Sequence, residues 1–196
     1  MSIAKGQDPE ADSLLQNPPP SVRIAIPEIC YVEALSAWDS EKKYNQQFQV
    51  ELDKQINESQ RNLTSPLAKS LLSHLRQTKI AHQDLMNDIK VRLNQGIVKT
   101  IEASDLIQLK GEIIREISAQ NLLNPETLLV KKDFLDNLIL RCILNDARLH
   151  PTEVKVFLSA NTKDFGTSVV QEALRDAGIN NYFSRTQNFL GWLQSQ

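Results

Sequence analysis

Two rhythms of apolar residues run along the chain. Short β-branched runs predict buried strands: residues 22–27 (VRIAIP) lie between PPPS and a closing proline, and residues 97–103 (IVKTIEA) follow Gln95-Gly96. Residues 154–158 give a third strand and residues 181–184 an edge strand. Between them, apolar positions three and four apart predict helices. Ile29, Val32, Leu35 and Ala37 recur in this way directly after the first strand. Residues 39–62 are highly polar, with Tyr44, Phe48, Leu52 and Ile56 forming one narrow stripe on a long helix. Ser65-Pro66 has the form of a helix start, and the next helix continues to about Leu93, with Leu67, Leu71, Leu75, Leu85, Ile89 and Leu93 on its buried side. Ser104 can cap a helix to about Gln120, with Leu106, Ile107, Ile113, Ile114 and Ile117 facing inward. Asn124-Pro125 opens a short helix, and KKDFLDNLILRCILNDARLH is the most apolar helix of the chain. A helix over 169–177 stops at Gly178, and a last amphipathic one spans 188–193.

Strands alternating with helices, with no room for hairpins between them, imply an α/β fold: a small parallel sheet wrapped by helices. The two long polar helices interrupt that rhythm and are expected to form an antiparallel helical hairpin, an insertion over 39–95 within a domain of 22–196. Residues 1–21 read as a polar, partly disordered segment with one or two helical turns. A chain of 196 residues holds one elaborated domain rather than two full ones. With 41% hydrophobic and 23% charged residues it is globular in composition, neither collagen-like nor broadly disordered. No run approaches the length of a membrane span, and the N-terminus lacks the basic start and apolar core of a secretory signal, so a cytoplasmic protein without membrane contact is expected. Cys30 and Cys142 sit among apolar neighbours without CxxC or Cys/His spacing, which reads as buried reduced thiols. The net charge of −2 gives no overall grip on nucleic acid, but charge is unevenly spread. Residues 28–60 carry seven acids against three lysines, whereas residues 61–99 carry seven bases against Asp84 and Asp88.

Three acids stand at the edges of apolar elements, where a carboxylate costs free energy unless it caps, pairs or binds a metal. Glu33 lies about a helical turn beyond the first strand, Asp136 lies in FLDNLIL, and Asp164 closes VFLSANTKDFG beyond the third strand. Each also has a plain structural explanation. Glu33 is equally an exposed residue of a first helical turn. Asp133 is a good N-cap, which puts Asp136 in a first turn favoured by the helix dipole. Asp164 is equally a turn acid, with Asn161 capping the exit from the sheet. Together, carboxylates at the carboxyl edge of a parallel sheet form an oxygen-rich set suited to Mg²⁺ or Mn²⁺, which can activate water against a phosphodiester. His74 and His82 on the basic helix and His150 before Pro151 have no ligand spacing, and GxxxxGK[ST], GxGxxG and GxSxG are absent from the sequence.

Three short motifs, in order, carry a family resemblance. IPEICYVEAL, DNLILRCIL and FLSANTKDF resemble the strand-proline-acid, acid-led helix and strand-to-loop motifs of PIN domains, and the tail AGINNYFSRTQNFLGWL resembles the family's closing strand and helix. The resemblance covers about residues 22–193, with the helical pair as an insertion. It implies a PIN-like three-layer sandwich and a metal-dependent endoribonuclease, of a family that includes the toxins of toxin-antitoxin pairs. The alternative is a catalytically impaired PIN-like protein acting as a binding module. By the same resemblance Glu33, Asp136 and Asp164 are metal-site acids, Asn161 is their polar neighbour and Asp133 a further candidate ligand. RNA, held in part by residues 61–99, an antitoxin or other protein, and a second copy of the chain are the implied partners. Two features depart from the family's pattern. Thr162 stands where many members have an acid, and nothing before Val22 resembles the family's central first strand with its Asp-Thr-Asn-like ending. That strand belongs between those like 22–27 and 154–158, so without it two strands lack their shared ladder partner. A longer reading frame is therefore expected, the alternative being a degenerate substitute over residues 1–4.

Overall fold

The computed structural model describes residues 3–62, 64–131 and 133–196. It divides into two compact units: Asp8–Glu33 with Lys99–Gln196, and Ala34–Val98 with the residues through Gln7.

The first unit is α/β. After helix α1 (Pro9–Gln16), strand β1 (Ala25–Pro27) leads into the start of α2 (Ile29–Arg61). Following α3 (Pro66–Ala103) come β2 (Asp105–Ile107), α4 (Gly111–Leu123), a 3₁₀ turn at Pro125–Thr127 and α5 (Phe134–Leu149). The chain closes with β3 (Lys155–Leu158), α6 (Thr162–Phe165), α7 (Ser168–Asp176), β4 (Ile179–Phe183) and α8 (Thr186–Gln194). The strands are parallel, as expected, but pair in two separate two-stranded sheets, β1 with β2 and β3 with β4. Helix α5 is the centre of the core. Its Leu138, Leu140, Cys142 and Leu144 are all buried, and Ile113 and Ile117 of α4, Val170 and Leu174 of α7 and Phe165 belong to the same cluster. Burying this many large aliphatic side chains, each contributing about 1.5–3 kcal/mol, is what fixes α5 against the sheet halves.

The second unit is a helical pair. Phe48 meets His82 with ring centroids 4.5 Å apart and Lys79 bonds Asp53 at 2.5 Å, so α2 and α3 run antiparallel. Leu52, Ile56, Ile89 and Leu93 are buried, whereas Tyr44, Leu67, Leu71 and Leu85 of the expected stripes are exposed.

Four expectations are corrected here. Residues 97–103 are not a strand but the last turns of α3, which passes straight through Gly96. The second strand is the shorter Asp105–Ile107. Ser104 does not cap a following helix: its hydroxyl donates back to the Thr100 carbonyl at 2.6 Å, closing α3. The next helix starts only at Gly111, with Ile114 and Leu106 exposed rather than inward. Elsewhere the expected caps form. Asp133 accepts from the Asp136 N–H at 3.1 Å and the Ser65 hydroxyl from the Ala68 N–H at 3.3 Å, and Gly178 follows α7 with φ +83°.

Candidate functional site

Strands β1 and β3 both end where the chain turns into polar sequence, and the acids follow from those ends. Pro27 ends β1, α2 begins two residues later, and Glu33 lies just beyond its first turn, exposed to solvent. Leu158 ends β3, and three residues on Asn161 caps α6, its side-chain oxygen accepting from the Asp164 N–H at 3.3 Å. Asp136 enters from α5, in the first turn of the most buried helix.

Asp136 is the pivot of the arrangement. Only 5% of it is exposed, and its Oδ2 accepts from Asn161 Nδ2 at 3.0 Å. Its carboxyl is pushed up to about 6, first by burial and then by the negative charges of Asp133, Glu33 and Asp164, against the lowering effect of the Asn161 hydrogen bond. A helix N-terminus favours a carboxylate by only about 0.3–1 kcal/mol, so burial and crowding win. The Glu33 carboxyl is also raised, by partial loss of water around it and then by Asp133. Glu33, Asp133, Asp136 and Asp164 thus form one electrostatic group. Among the described residues none of them makes an ion pair with a Lys, Arg or His.

The structure brings together Glu33, Asp136 and Asn161 along one cleft of about 1290 Å³, which none of the side chains of Asp133 or Asp164 line. Asp133 is occupied as the N-cap of α5. The donor set, carboxylate oxygens without an ion-paired Lys, Arg or His among the described residues, has the chemistry of a hard divalent-cation site. As the side chains stand, however, no three His, Cys, Asp or Glu among the described residues are placed to hold an ion together.

Two supporting residues escaped sequence reading. Buried Asn137 accepts from the Val130 N–H at 3.1 Å and donates to the Asp133 carbonyl at 2.8 Å, so it anchors the loop leading into the acidic turn. Its signal was available: an amide beside an acid inside an apolar helix needs partners. Tyr182 donates to the Ser159 carbonyl at 2.9 Å and steadies the strand exit before Asn161, a long-range contact with no local signature.

The unit is thus a parallel α/β fold with Glu33, Asp136 and Asn161 set along a cleft at its strand ends. The chain belongs to the PIN domain family, whose pattern matches residues 2–165 and so runs through both long helices to the end of α6. The family has nuclease-type activity, and its members generally use divalent metal ions. No curated protein and no solved structure matches the chain. Among the described residues no helix is long and apolar enough to cross a membrane.

Proposed function

We propose that this protein is an endoribonuclease that hydrolyses RNA phosphodiester bonds with Mg²⁺ or Mn²⁺. The observation that carries the reading is Asp136: a buried carboxyl held at about 6 among three other acids, with no cationic side chain paired to any of them among the described residues. Glu33, Asp136 and Asp164 would hold the ion, with Asp133, the N-cap of α5, as a further candidate carboxylate. When bound, such an ion lowers the pKa of water and polarises the phosphodiester. Asn161 fixes the rotamer of Asp136 through its 3.0 Å hydrogen bond and leaves the other carboxylate oxygen available. The RNA backbone is engaged by the basic stretch 61–99. Among the described residues Lys79 and Arg92 there already pair with Asp53 and Asp88, so Arg61, Lys69, Arg76, Lys90 and Lys99 would be the phosphate contacts.

The test is cleavage of end-labelled single-stranded RNA in Mg²⁺, in Mn²⁺ and in chelator. Cleavage is expected with either metal, is abolished by chelation, and falls at least a hundredfold in Asp136→Asn. Equal cutting by that variant would remove the site assignment.

A second reading, a PIN-like binding module without catalysis, is favoured by one observation: no three ligating side chains among the described residues are already gathered. RNA binding without metal-dependent cutting, in the same assay, would select it.

A further inference from the structure

Helix α3 carries a strip of side chains that its own packing leaves unused. Its inward positions, Ala68, Leu72, Leu75, Lys79, His82 and Met86 with those that follow to Leu93, alternate four and three residues apart. A seven-residue repeat of this kind keeps each face of a helix constant along its length. Lys69, Arg76, Gln83 and Lys90 recur at that same interval on one outward position, and all four are exposed. Four residues on from each stand Ser73, Ile80, Asn87 and Asn94, exposed as well. Residues four apart are neighbours on a helix surface, so the two rows form one continuous strip.

The strip holds no carboxylate. Asp84 stands at its outer margin, and Asp88 lies beyond it, paired with Arg92 at 2.8 Å. Among the described residues Lys69, Arg76 and Lys90 make no ion pair, whereas Lys79 in the seam holds Asp53 of the acidic helix. Pairing between the two helices therefore does not use up the positive charge of this face.

The chemistry of the strip selects its partner. Seven residues of helix span about 10.5 Å, so the cations stand about 10.5 Å and then about 21 Å apart on a rigid rod. Cations at fixed places suit the phosphates of a polyanion whose own geometry is fixed. The amides of Gln83, Asn87 and Asn94 both donate and accept hydrogen bonds, as does a ribose 2′-hydroxyl. Surfaces that grip single strands stack the bases on aromatic rings, and the strip has none. An A-form duplex asks for no stacking: its wide, shallow minor groove displays 2′-hydroxyls beside the phosphates.

We propose that this face of α3 binds double-stranded RNA across its minor groove, with Lys69, Arg76 and Lys90 on phosphates and Gln83, Asn87 and Asn94 on 2′-hydroxyls. The inference deepens the nuclease reading, on which it rests for the choice of RNA over DNA, and names duplex-bearing RNA as the substrate class.

The test is fluorescence anisotropy of the full chain, in chelator, with a blunt-ended RNA duplex of about two turns, the DNA duplex of the same sequence, and one RNA strand alone. The RNA duplex is expected to bind at least tenfold more tightly than either of the others. Replacing Lys69, Arg76 and Lys90 together by Gln should weaken duplex binding at least tenfold at unchanged helicity by circular dichroism, and flatten its salt dependence. The charge-keeping set Lys69→Arg, Arg76→Lys and Lys90→Arg should stay within about threefold of the wild type. Replacing Gln83, Asn87 and Asn94 by Ala should remove the preference for RNA over DNA. Equal binding of the two duplexes, tightest binding of the single strand, or duplex binding unmoved by the Gln set would each overturn the proposal. Cutting is read separately in Mg²⁺. Duplex preference without cutting would remove the nuclease reading alone, and cutting without duplex preference would remove this proposal alone.

Discussion

At the scale of single residues, the site is governed by what Asp136 costs. A carboxyl raised from its ordinary value of 3.8 to about 6 binds its proton more tightly in the folded chain than in the unfolded one. Stability from this group is therefore complete below about pH 4 and is lost as pH rises through 6. The loss corresponds to up to about 3 kcal/mol. In Asp136→Asn the side-chain oxygen still accepts from Asn161, and the charge is gone. Thermal melts in chelator are expected to show the variant gaining on the wild type as pH rises from 4 to 7, with most of the gain complete by pH 7. A gap independent of pH would mean that Asp136 is not desolvated as its geometry implies. Asp136 was legible in the sequence because an acid inside FLDNLIL demands a reason. Its bond to Asn161 was not, because the two lie on elements joined only in the fold.

At the scale of elements, the acidic corner depends on the short helix α6, and that helix depends on the glycine that caps its end. A Cβ at Gly166 would lie 2.3 Å from the Thr162 carbonyl oxygen, a backbone atom that cannot swing aside. At Gly178 the obstacle is the left-handed φ of +83°, while the nearest atom, the tip of Lys155, is at an ordinary 3.5 Å. Gly178→Ala is expected to cost about 1–2 kcal/mol through backbone conformation alone. Gly166→Ala should cost more in chemical denaturation and also displace Asp164, which would show as weaker Mn²⁺ binding. If Gly178→Ala costs the more of the two, the contact at Gly166 is relieved by an easy shift of the chain. Elements with a strong local signature were readable: α5 through its apolar periodicity, β3 and α7 through clean boundaries. The error at 97–103 has a physical cause. Ile97, Val98, Thr100 and Ile101 are β-branched and follow a glycine, but a Cβ at Gly96 would meet nothing within 4 Å, and the helix passes through at a cost of about 1 kcal/mol. Ile97 packs with Ile89 and Leu93, so the helical spacing outweighs strand propensity. Strand β2 has three residues, too few for any alternation to show.

At the scale of the whole molecule, the uneven charge of the sequence makes a prediction of its own. If residues 61–99 hold RNA, affinity for single-stranded RNA should fall linearly with salt on logarithmic axes, with a slope of about −0.7 per phosphate engaged. Replacing Lys69, Arg76 and Lys90 together by Gln should reduce that slope by about 2. An unchanged slope would assign the basic helix to pairing with its acidic neighbour. The parallel arrangement of strands was legible from the order of elements, whereas its division into two halves is a property of the folded sheet that no stretch of sequence displays. That division gives the helical pair a role in time. Ala25 lies opposite Asp105 with both long helices as the connection between them, and a flexible connection of that length would have to lose closure entropy before a single rung formed. Ala34 and Ile97 instead pack into one cluster with Ile89 and Leu93, so a folded hairpin delivers its two ends together. Helices form within about a microsecond and long-range parallel pairing is slow. The hairpin is thus expected to act as a clock for the first sheet half, folding before β1 and β2 meet.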